Sequence, residues 1–327
     1  MDSFKVIRLH SENGHRVSRV EETRLDELDP GDVVIRSQYA AVNYKDARAV
    51  TGAGNVVKRF PCIPGIEVGG IVAASRSPKF REGDVVTVQG GPEFGIRHDG
   101  AYAEYVRVPA EWVHAVTGGF DSFSVVALGI AAYTAAVAVE ELVAHGVTPG
   151  KGKIAVTGAT GGCASFVIDM LAGLGFHVVA VSGKPEAADY LRELGAREVI
   201  GRDAIAPGAK PLETQLWAGA IDAVGGKPLD DLLRTMKKRG VVCAYGNAAG
   251  ETFTTSIYPF ILRSVQLVGV NANHPVAMRG EAWRRLAGDL RPRNLERIVN
   301  RVPFAALPSY CERVIAGGIR GRGVVQF

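Results

Sequence analysis

The glycine turn within residues 153–165 carries residue types that can bind a phosphate group. An apolar, strand-like run ends in Gly158, and a helix-forming segment follows at once. Gly158 permits a sharp turn, Gly161 lets the backbone approach a phosphate, and Ala164 is small enough for close strand–helix packing. This pattern predicts the pyrophosphate site of a dinucleotide cofactor. The predicted contacts are Thr160, Gly161, Gly162 and Cys163.

A second strand-like run, His177–Val181, ends in a turn that suits a further phosphate. NAD-binding proteins usually carry an acidic residue here, which binds the ribose hydroxyls. This chain has Ser182, Gly183 and Lys184 instead, and Arg202 follows the next short strand-like run. A hydroxyl and two cations suit the 2′-phosphate of NADP(H), which is therefore the predicted cofactor. The alternative is that the lysine and arginine are ordinary solvated surface residues.

The order of the predicted elements indicates a two-domain α/β protein. Short strands separated by turns fill residues 1–127 and predict a β barrel or sandwich-like domain. Strands then alternate with helices over residues 128–270, which predicts a doubly wound parallel sheet with helices on both faces. Residues 271–327 are too few for a separate domain, so we expect them to complete the first domain, with a cleft between the two.

The composition excludes several classes of function. The 327 residues include 38 basic and 34 acidic ones, and a formal charge of +4 is too small and scattered to indicate nucleic-acid binding. We expect no membrane-spanning segment, no signal sequence and a cytoplasmic location. The four cysteines and seven histidines are dispersed without the spacing of a zinc site, so no metal is expected.

Several motifs together resemble one known family. They are Asn-Tyr-Lys-Asp at 43–46, Ile-Pro-Gly-Ile-Glu-Val-Gly-Gly at 63–70, the glycine turn, and Tyr-Pro-Phe-Ile-Leu-Arg at 258–263. Over almost the whole chain they resemble the medium-chain dehydrogenase/reductase superfamily, in its zinc-independent acrylyl-CoA reductase and quinone oxidoreductase subgroup. The resemblance implies a GroES-like β-rich catalytic domain, a Rossmann NADP-binding domain, and a homodimer. No histidine stands within Gly65-Ile66-Glu67, where zinc-dependent relatives have one.

The resemblance also implies the reaction and some of the residues that serve it. The expected activity is NADPH-dependent reduction of the C=C bond of an α,β-unsaturated acyl thioester, converting acrylyl-CoA to propionyl-CoA. Two alternatives stay open: an NADPH:quinone or general enone reductase, and a non-catalytic protein that binds or senses NADPH. By resemblance Tyr44 approaches the nicotinamide. By resemblance, Asn247, Ile261 and Ala272 line the nicotinamide cleft.

Tyr44 has chemistry of its own to offer. A phenol in the cleft could position the nicotinamide ring or help a proton reach the substrate α carbon. The alternative is a tyrosine packed in the β domain with its hydroxyl bonded to backbone. We expect Glu67 and Asp222 to be buried structural carboxylates. The helix that contains Arg284 and Arg285 is expected to present a solvated cationic face, with the phosphates of coenzyme A as the alternative partner.

Overall fold

The computed structural model describes residues 3–91, 93–205, 208, 210–272 and 279–327. The chain divides into two compact units. The first unit is Met1–Ile130 with Val299–Phe327, and the second is Ala131–Ile298.

The first unit is mainly β structure, because apolar and polar residues alternate along its short segments and Pro and Gly residues separate them. Among the described residues before residue 122, this unit has one α-helix, and that helix is short. In chain order the elements are β1 (Phe4–Glu12), β2 (His15–Thr23), β3 (Val33–Val42), α1 (Tyr44–Val50), β4 (Glu67–Ser75), β5 (Val85–Gln89), β6 (Tyr105–Val108), β7 (His114–Ala115) and α2 (Ser122–Ala144), which continues into the second unit.

The second unit alternates strands and helices, as the pattern over its sequence predicts. Its elements are β8 (Lys153–Val156), α3 (Gly162–Gly173), β9 (His177–Val181), α4 (Ala188–Glu193), β10 (Glu198–Ile200), β11 (Trp217–Asp222), α5 (Gly226–Thr235), β12 (Met236–Ala244), α6 (Tyr258–Arg263), β13 (Gln266–Gly269), α7 (Gly280–Ala287) and α8 (Leu295–Ile298). The described strands form a parallel sheet in the order β10-β9-β8-β11-β12-β13. The strand order reverses between β8 and β11, which is the doubly wound arrangement.

The chain then returns to the first unit through β14 (Val299–Pro303), α9 (Leu307–Ile315) and β15 (Arg322–Gln326). The described strands of the larger sheet lie in the order β14-β15-β3-β4-β5-β7, and β6 also pairs with β3. β15 pairs antiparallel with β3, so the C-terminal strand joins the sheet formed by the N-terminal strands. The α/β fold class, one β-rich part and one doubly wound parallel sheet, is confirmed.

The point of return lies further along the chain than the expected residue 271. The segment before Val299 packs within the second unit. Asn294 donates its backbone N–H to Asp169 of α3 over 2.9 Å, and Arg297 pairs with Glu193 of α4 over 2.5 Å. Contacts between residues more than a hundred positions apart decide this boundary, and strand or helix periodicity carries no information about them.

Apolar side chains from both faces of each sheet form the cores. In the first unit, Ile35, Val68 and Tyr102 are fully buried, and the Tyr102 hydroxyl donates to the Ala41 carbonyl over 3.0 Å. In the second unit, the middle strands of the sheet are apolar except for Lys153, His177 and Asp222 at their ends, as expected for strands covered on both faces.

Helix α2 differs from the expectation that no apolar run is long enough to span a membrane. By length and composition alone, this 23-residue helix could cross a membrane. However, 83% of its apolar 18-residue window is buried inside the protein. The helix also breaks at Gly129, whose φ of +46° lies in the region that favours glycine. Both features fit a buried helix of a protein core.

Candidate functional site

The glycine turn after β8 has the geometry that its sequence predicts. Gly158 has a φ of +57°, and a Cβ atom there would lie 3.0 Å from Cγ1 of Val224. The Gly161 N–H donates to the Gly158 carbonyl over 2.8 Å, which closes the turn directly before α3. The first N–H groups of a helix have no partner within it and, with the helix dipole, attract an anion.

A cavity of about 220 Å³ lies at the carboxyl ends of the parallel strands. Ligands of doubly wound sheets bind at this edge, where the strand order reverses. The lining residues come from the carboxyl ends of five strands and from the segments that follow them. They are Thr157, Gly158, Ala159, Thr160, Val181, Ser182, Gly183, Lys184, Arg202, Ile205, Val224, Pro228, Ala248 and Ala249.

Five residues predicted from the sequence to bind the cofactor are brought together in this cavity: Thr160, Ser182, Gly183, Lys184 and Arg202. The predicted pyrophosphate contacts Gly161, Gly162 and Cys163 are not among the lining residues. They follow Thr160 directly, at the N-cap and first turn of α3.

The turn after β9 presents hydrogen-bond donors to the cavity. The Ser182 hydroxyl oxygen accepts the Lys184 backbone N–H over 3.0 Å, so its own O–H remains free to donate to a ligand. Burial lowers the pKa of Lys184, and the nearby Arg202 cation lowers it further, although Glu186 acts in the opposite direction. Two cations near enough to affect each other form an electropositive end of the cavity.

No acidic side chain lines the cavity among the described residues. Within the same described ranges, no carboxylate forms an ion pair with Arg202. A carboxylate at the end of β9 would repel a phosphate on the adenosine ribose. The residues present therefore fit a ligand with an additional phosphate.

The apolar side of the cavity was not predicted from the sequence. It consists of Ile205, Val224, Pro228, Ala248 and Ala249. Their position after β10, β11 and β12 could have indicated them, because the carboxyl ends of neighbouring parallel strands share one edge of the sheet. Their residue types carry no such signal.

Asp222 supports the turn from behind, as expected of a structural carboxylate. It is fully buried at the end of β11 and accepts the Thr157 hydroxyl over 2.6 Å and the Gly225 N–H over 2.7 Å. The Ala223 N–H donates to the Thr157 hydroxyl over 3.0 Å. Burial raises the pKa of Asp222, against these hydrogen bonds. The network ties the turn after β8 to the turn after β11.

Three residues assigned to the nicotinamide cleft by resemblance do not line the cavity. Asn247 is exposed just beyond β12, next to the lining residue Ala248. Ile261 lies on α6 with 63% of its surface exposed. Ala272 is half-buried after β13 and directly precedes residues 273–278, which lie outside the described ranges. Their contact with a nicotinamide stays a prediction.

Tyr44 belongs to the first unit and is the first residue of α1. It is 45% exposed, so it is not a tyrosine packed into the β core. Glu67, in contrast, is completely buried and forms an ion pair of 2.6 Å with Arg322. Its other oxygen accepts the Ile130 N–H over 2.7 Å, directly after the helix break at Gly129. This is the structural carboxylate that the sequence predicts.

The cations of α7 are paired with acids of α7, of the segment just after it and of α2. Arg284 forms an ion pair with Glu281, and Arg285 pairs with Asp289 over 2.6 Å and with Glu140 over 3.4 Å. This pairing favours a structural, solvated face over a binding surface for coenzyme A phosphates.

Comparison with known families accounts for both units. The model described as "Alcohol dehydrogenase GroES-like domain" matches residues 29–118, and the model described as "Zinc-binding dehydrogenase" matches residues 162–288. The word zinc in that description refers to the family as a whole and not to this chain. Over the described ranges of this chain, no three His, Cys, Asp or Glu side chains come together to hold a metal.

Relatives match over nearly the full length of the chain. The acrylyl-CoA reductase AcuI of Ruegeria pomeroyi is 38% identical and covers 98% of each chain. A Salmonella enterica yhdH oxidoreductase, solved in complex with NADP, is 38% identical with a TM-score of 0.92 and covers 99% of each chain. The Bacillus subtilis protein yhfP, solved with NAD bound, is 35% identical with a TM-score of 0.93 and covers 100% of each chain. The chain therefore belongs to the medium-chain dehydrogenase/reductase superfamily, in its zinc-independent subgroup.

Proposed function

We propose that this protein is an NADPH-dependent oxidoreductase that reduces the C=C bond of an α,β-unsaturated acyl thioester, with acrylyl-CoA as substrate and propionyl-CoA as product. The observation that carries the proposal is the cavity end formed by Ser182, Lys184 and Arg202, which offers a hydroxyl and two cations and, among the described residues, no carboxylate. The substrate class rests on the similarity to AcuI over nearly the whole chain.

The residues of the cavity, rather than the fold, support NADPH over NADH. Relatives of nearly equal structural similarity were solved with NADP in one case and NAD in another. In this chain Arg202 would hold the 2′-phosphate with its planar guanidinium, while Lys184 adds a second charge and Ser182 a hydrogen bond. The helix start at Gly161, Gly162 and Cys163 would hold the pyrophosphate through backbone N–H groups.

The cofactor, when bound, supplies the hydride that reduces the β carbon of the substrate. The protein must then stabilise negative charge on the thioester oxygen and allow a proton to reach the α carbon. No metal is required, because a conjugated enolate is less basic than the alkoxide of an alcohol. Tyr44 is the proposed residue at the reacting centre, where its exposed phenol would orient the ring of the nicotinamide or the substrate, or conduct the proton.

The proposed reaction is tested with the purified protein, NADPH and a panel of acceptors. Acrylyl-CoA, crotonyl-CoA and a set of quinones are added separately, and loss of NADPH absorbance is followed while mass spectrometry identifies the product. The proposal predicts rapid oxidation with acrylyl-CoA and formation of propionyl-CoA. Matched reactions with NADH should be slower by a factor of about ten or more, on the basis of one charge-assisted contact.

The alternatives give different results in the same assay. Oxidation with quinones and simple enones, but not with acyl-CoA, would identify a quinone or enone reductase. Tight binding of NADPH in a fluorescence titration without oxidation by any acceptor would identify a binding or sensing protein. Absence of dinucleotide binding would refute the proposed function altogether.

We propose further that two copies associate through α6 and β13. β13 lies at the end of the described parallel sheet, so one side of its backbone is unpaired within it. Apolar side chains are exposed beside this edge, on and around α6 and on β13: Ile257, Tyr258, Ile261, Leu262 and Leu267. An exposed strand edge with an apolar patch favours pairing with a second chain. A homodimer in the cytoplasm is the expected form, and cell fractionation tests the location.

A further inference from the structure

A largely buried cluster of polar side chains includes Asn43, the residue directly before Tyr44. The cluster, here called the Arg322 triangle, consists of Asn43, Glu67 and Arg322. Arg322 is 2% exposed and Glu67 is completely buried. The three residues come from the residue before α1, the start of β4 and the start of β15.

Each member of the triangle contacts the other two. Arg322 Nη1 donates to Asn43 Oδ1 over 2.8 Å, and Arg322 Nη2 donates to Glu67 Oε2 over 2.6 Å. Asn43 Nδ2 donates to the same Glu67 oxygen over 2.8 Å. The planar guanidinium can serve both partners at once because its donors have fixed directions. The amide of Asn43 is therefore held at its oxygen and at its nitrogen.

The sheet register explains why Arg322 reaches this position. β15 pairs antiparallel with β3, and Gly323 lies opposite Val42. Arg322 thus stands beside the residue that follows β3, which is Asn43. The Asn43 N–H also donates to Asp46 Oδ2 over 2.9 Å, as in a capping box that fixes the start of a helix.

We propose that Arg322 is a positioning residue for Tyr44, acting through Asn43. Tyr44 follows Asn43 directly in the chain and is the first residue of α1. A fixed Asn43 therefore limits the directions in which the exposed phenol can point. A buried ion pair often adds little net stability, and in some proteins it instead fixes a defined geometry. The inference rests on the proposed function, since it assigns Tyr44 a task in the reduction of the acyl thioester.

The experiment is a double-mutant cycle on turnover of acrylyl-CoA with NADPH. Arg322→Met, Tyr44→Phe and the double variant are compared with the unaltered protein. If Arg322 acts through Tyr44, Arg322→Met lowers kcat about tenfold alone but by less than about twofold in the Tyr44→Phe background. For Arg322→Met, binding of NADPH should stay unchanged, because the proposed phosphate contacts are residues of the second unit. A fluorescence titration checks this.

Two further variants separate positioning from general loss of stability. Arg322→Lys keeps the charge but loses the two-pronged contact, so it should fold and show an intermediate kcat. The control is Arg59→Met in the same unit, which removes a two-pronged ion pair to Asp29 with distances of 2.7 and 2.6 Å. It should lower the melting temperature and leave kcat within about twofold of the unaltered value.

Other outcomes would overturn the inference. Equal loss of kcat from Arg322→Met with and without the Tyr44 hydroxyl would show that Arg322 acts independently. Full kcat in Tyr44→Phe would show that turnover does not need the Tyr44 hydroxyl, and Arg322 could then not act by positioning it. Absence of turnover in the unaltered protein would refute the proposed reaction as well, whereas turnover with additive losses would refute the positioning role alone.

Discussion

The guanidinium of Arg202 lies against the α carbon of Gly183. A Cβ atom at position 183 would stand 2.7 Å from Nε and 2.8 Å from Cζ of Arg202. Any larger residue at position 183 would therefore displace the guanidinium from the turn after β9. The missing side chain of Gly183 and the charge of Arg202 together shape the phosphate end of the cavity.

Removal of the Arg202 cation should weaken NADPH binding selectively. We expect Arg202→Ala to lose about 1.5–3 kcal/mol of binding free energy to NADPH, which is a factor of about ten to more than one hundred in Kd. NADH binding should change by less than about threefold. Fluorescence titration with both cofactors measures the effect, and Arg197→Ala, an exposed arginine outside the cavity, is the control. Equal losses for NADPH and NADH would contradict the assignment of the 2′-phosphate site.

Addition of one methyl group at position 183 should produce a smaller effect in the same direction. Gly183→Ala displaces the flexible end of Arg202 rather than the backbone, so we expect little change in melting temperature. NADPH affinity should fall by about tenfold, since one charge-assisted hydrogen bond is disturbed. The matched control is Gly280→Ala, where an added Cβ would meet no atom within 4 Å. An unchanged ratio of NADPH to NADH affinity in Gly183→Ala would show that Arg202 does not bind the additional phosphate of NADPH.

The buried carboxyl of Asp46 should make folding stability depend on pH. Burial raises its pKa to about 6 from an ordinary value of 3.8; the hydrogen bonds from Asn43 and the Lys45 cation lower it, and the Glu67 charge raises it further. Burial raises the pKa of Tyr102 and that of Cys311, and the Asp46 charge raises both further. The protonated form is favoured in the folded state, so stability from this group is complete below about pH 4 and is lost as the pH rises through about 6.

We therefore expect Asp46→Asn to change the pH profile of the free energy of unfolding. The unaltered protein should lose up to about 3 kcal/mol between pH 4 and 7 relative to the variant, as the raised pKa requires. Urea unfolding at several pH values measures the difference. Asp189→Asn, whose side chain is 93% exposed, serves as the control and should follow the unaltered profile. Parallel profiles for Asp46→Asn and the unaltered protein would show that Asp46 titrates normally.

A charge placed in the apolar patch on α6 should separate the two proposed copies. Ile261 is 63% exposed, and an aspartate there would have to be buried without a partner in the dimer. We expect Ile261→Asp to be monomeric at micromolar concentrations where the unaltered protein is dimeric, as measured by analytical ultracentrifugation. Val20→Asp, at an exposed apolar residue of the first unit, should remain dimeric. A monomeric unaltered protein would refute the proposed association.

The grouping of residues in the candidate cofactor cavity was largely predictable because local rules govern it. The turn at Gly158, the helix start at Gly161 and the polar residues after β9 occupy short stretches of chain whose backbone preferences are readable from residue types. Parallel strand order then brings the turns after β8, β9 and β10 to one edge of the sheet. Thr160, Ser182, Gly183, Lys184 and Arg202 line one cavity for this reason.

The sequence by itself determined the two-part α/β architecture and the hydroxyl and cationic residues that lie at one sheet edge. Only the tertiary structure decided where the chain returns to the first unit and which apolar residues complete the cavity. It also decided which side chains contact Asn43, the residue before Tyr44. Arg322 and Glu67 stand 255 positions apart in the chain, and the register of β15 on β3 brings Arg322 to Asn43. Local propensity and periodicity act over a few residues, whereas such a contact depends on how whole strands pair.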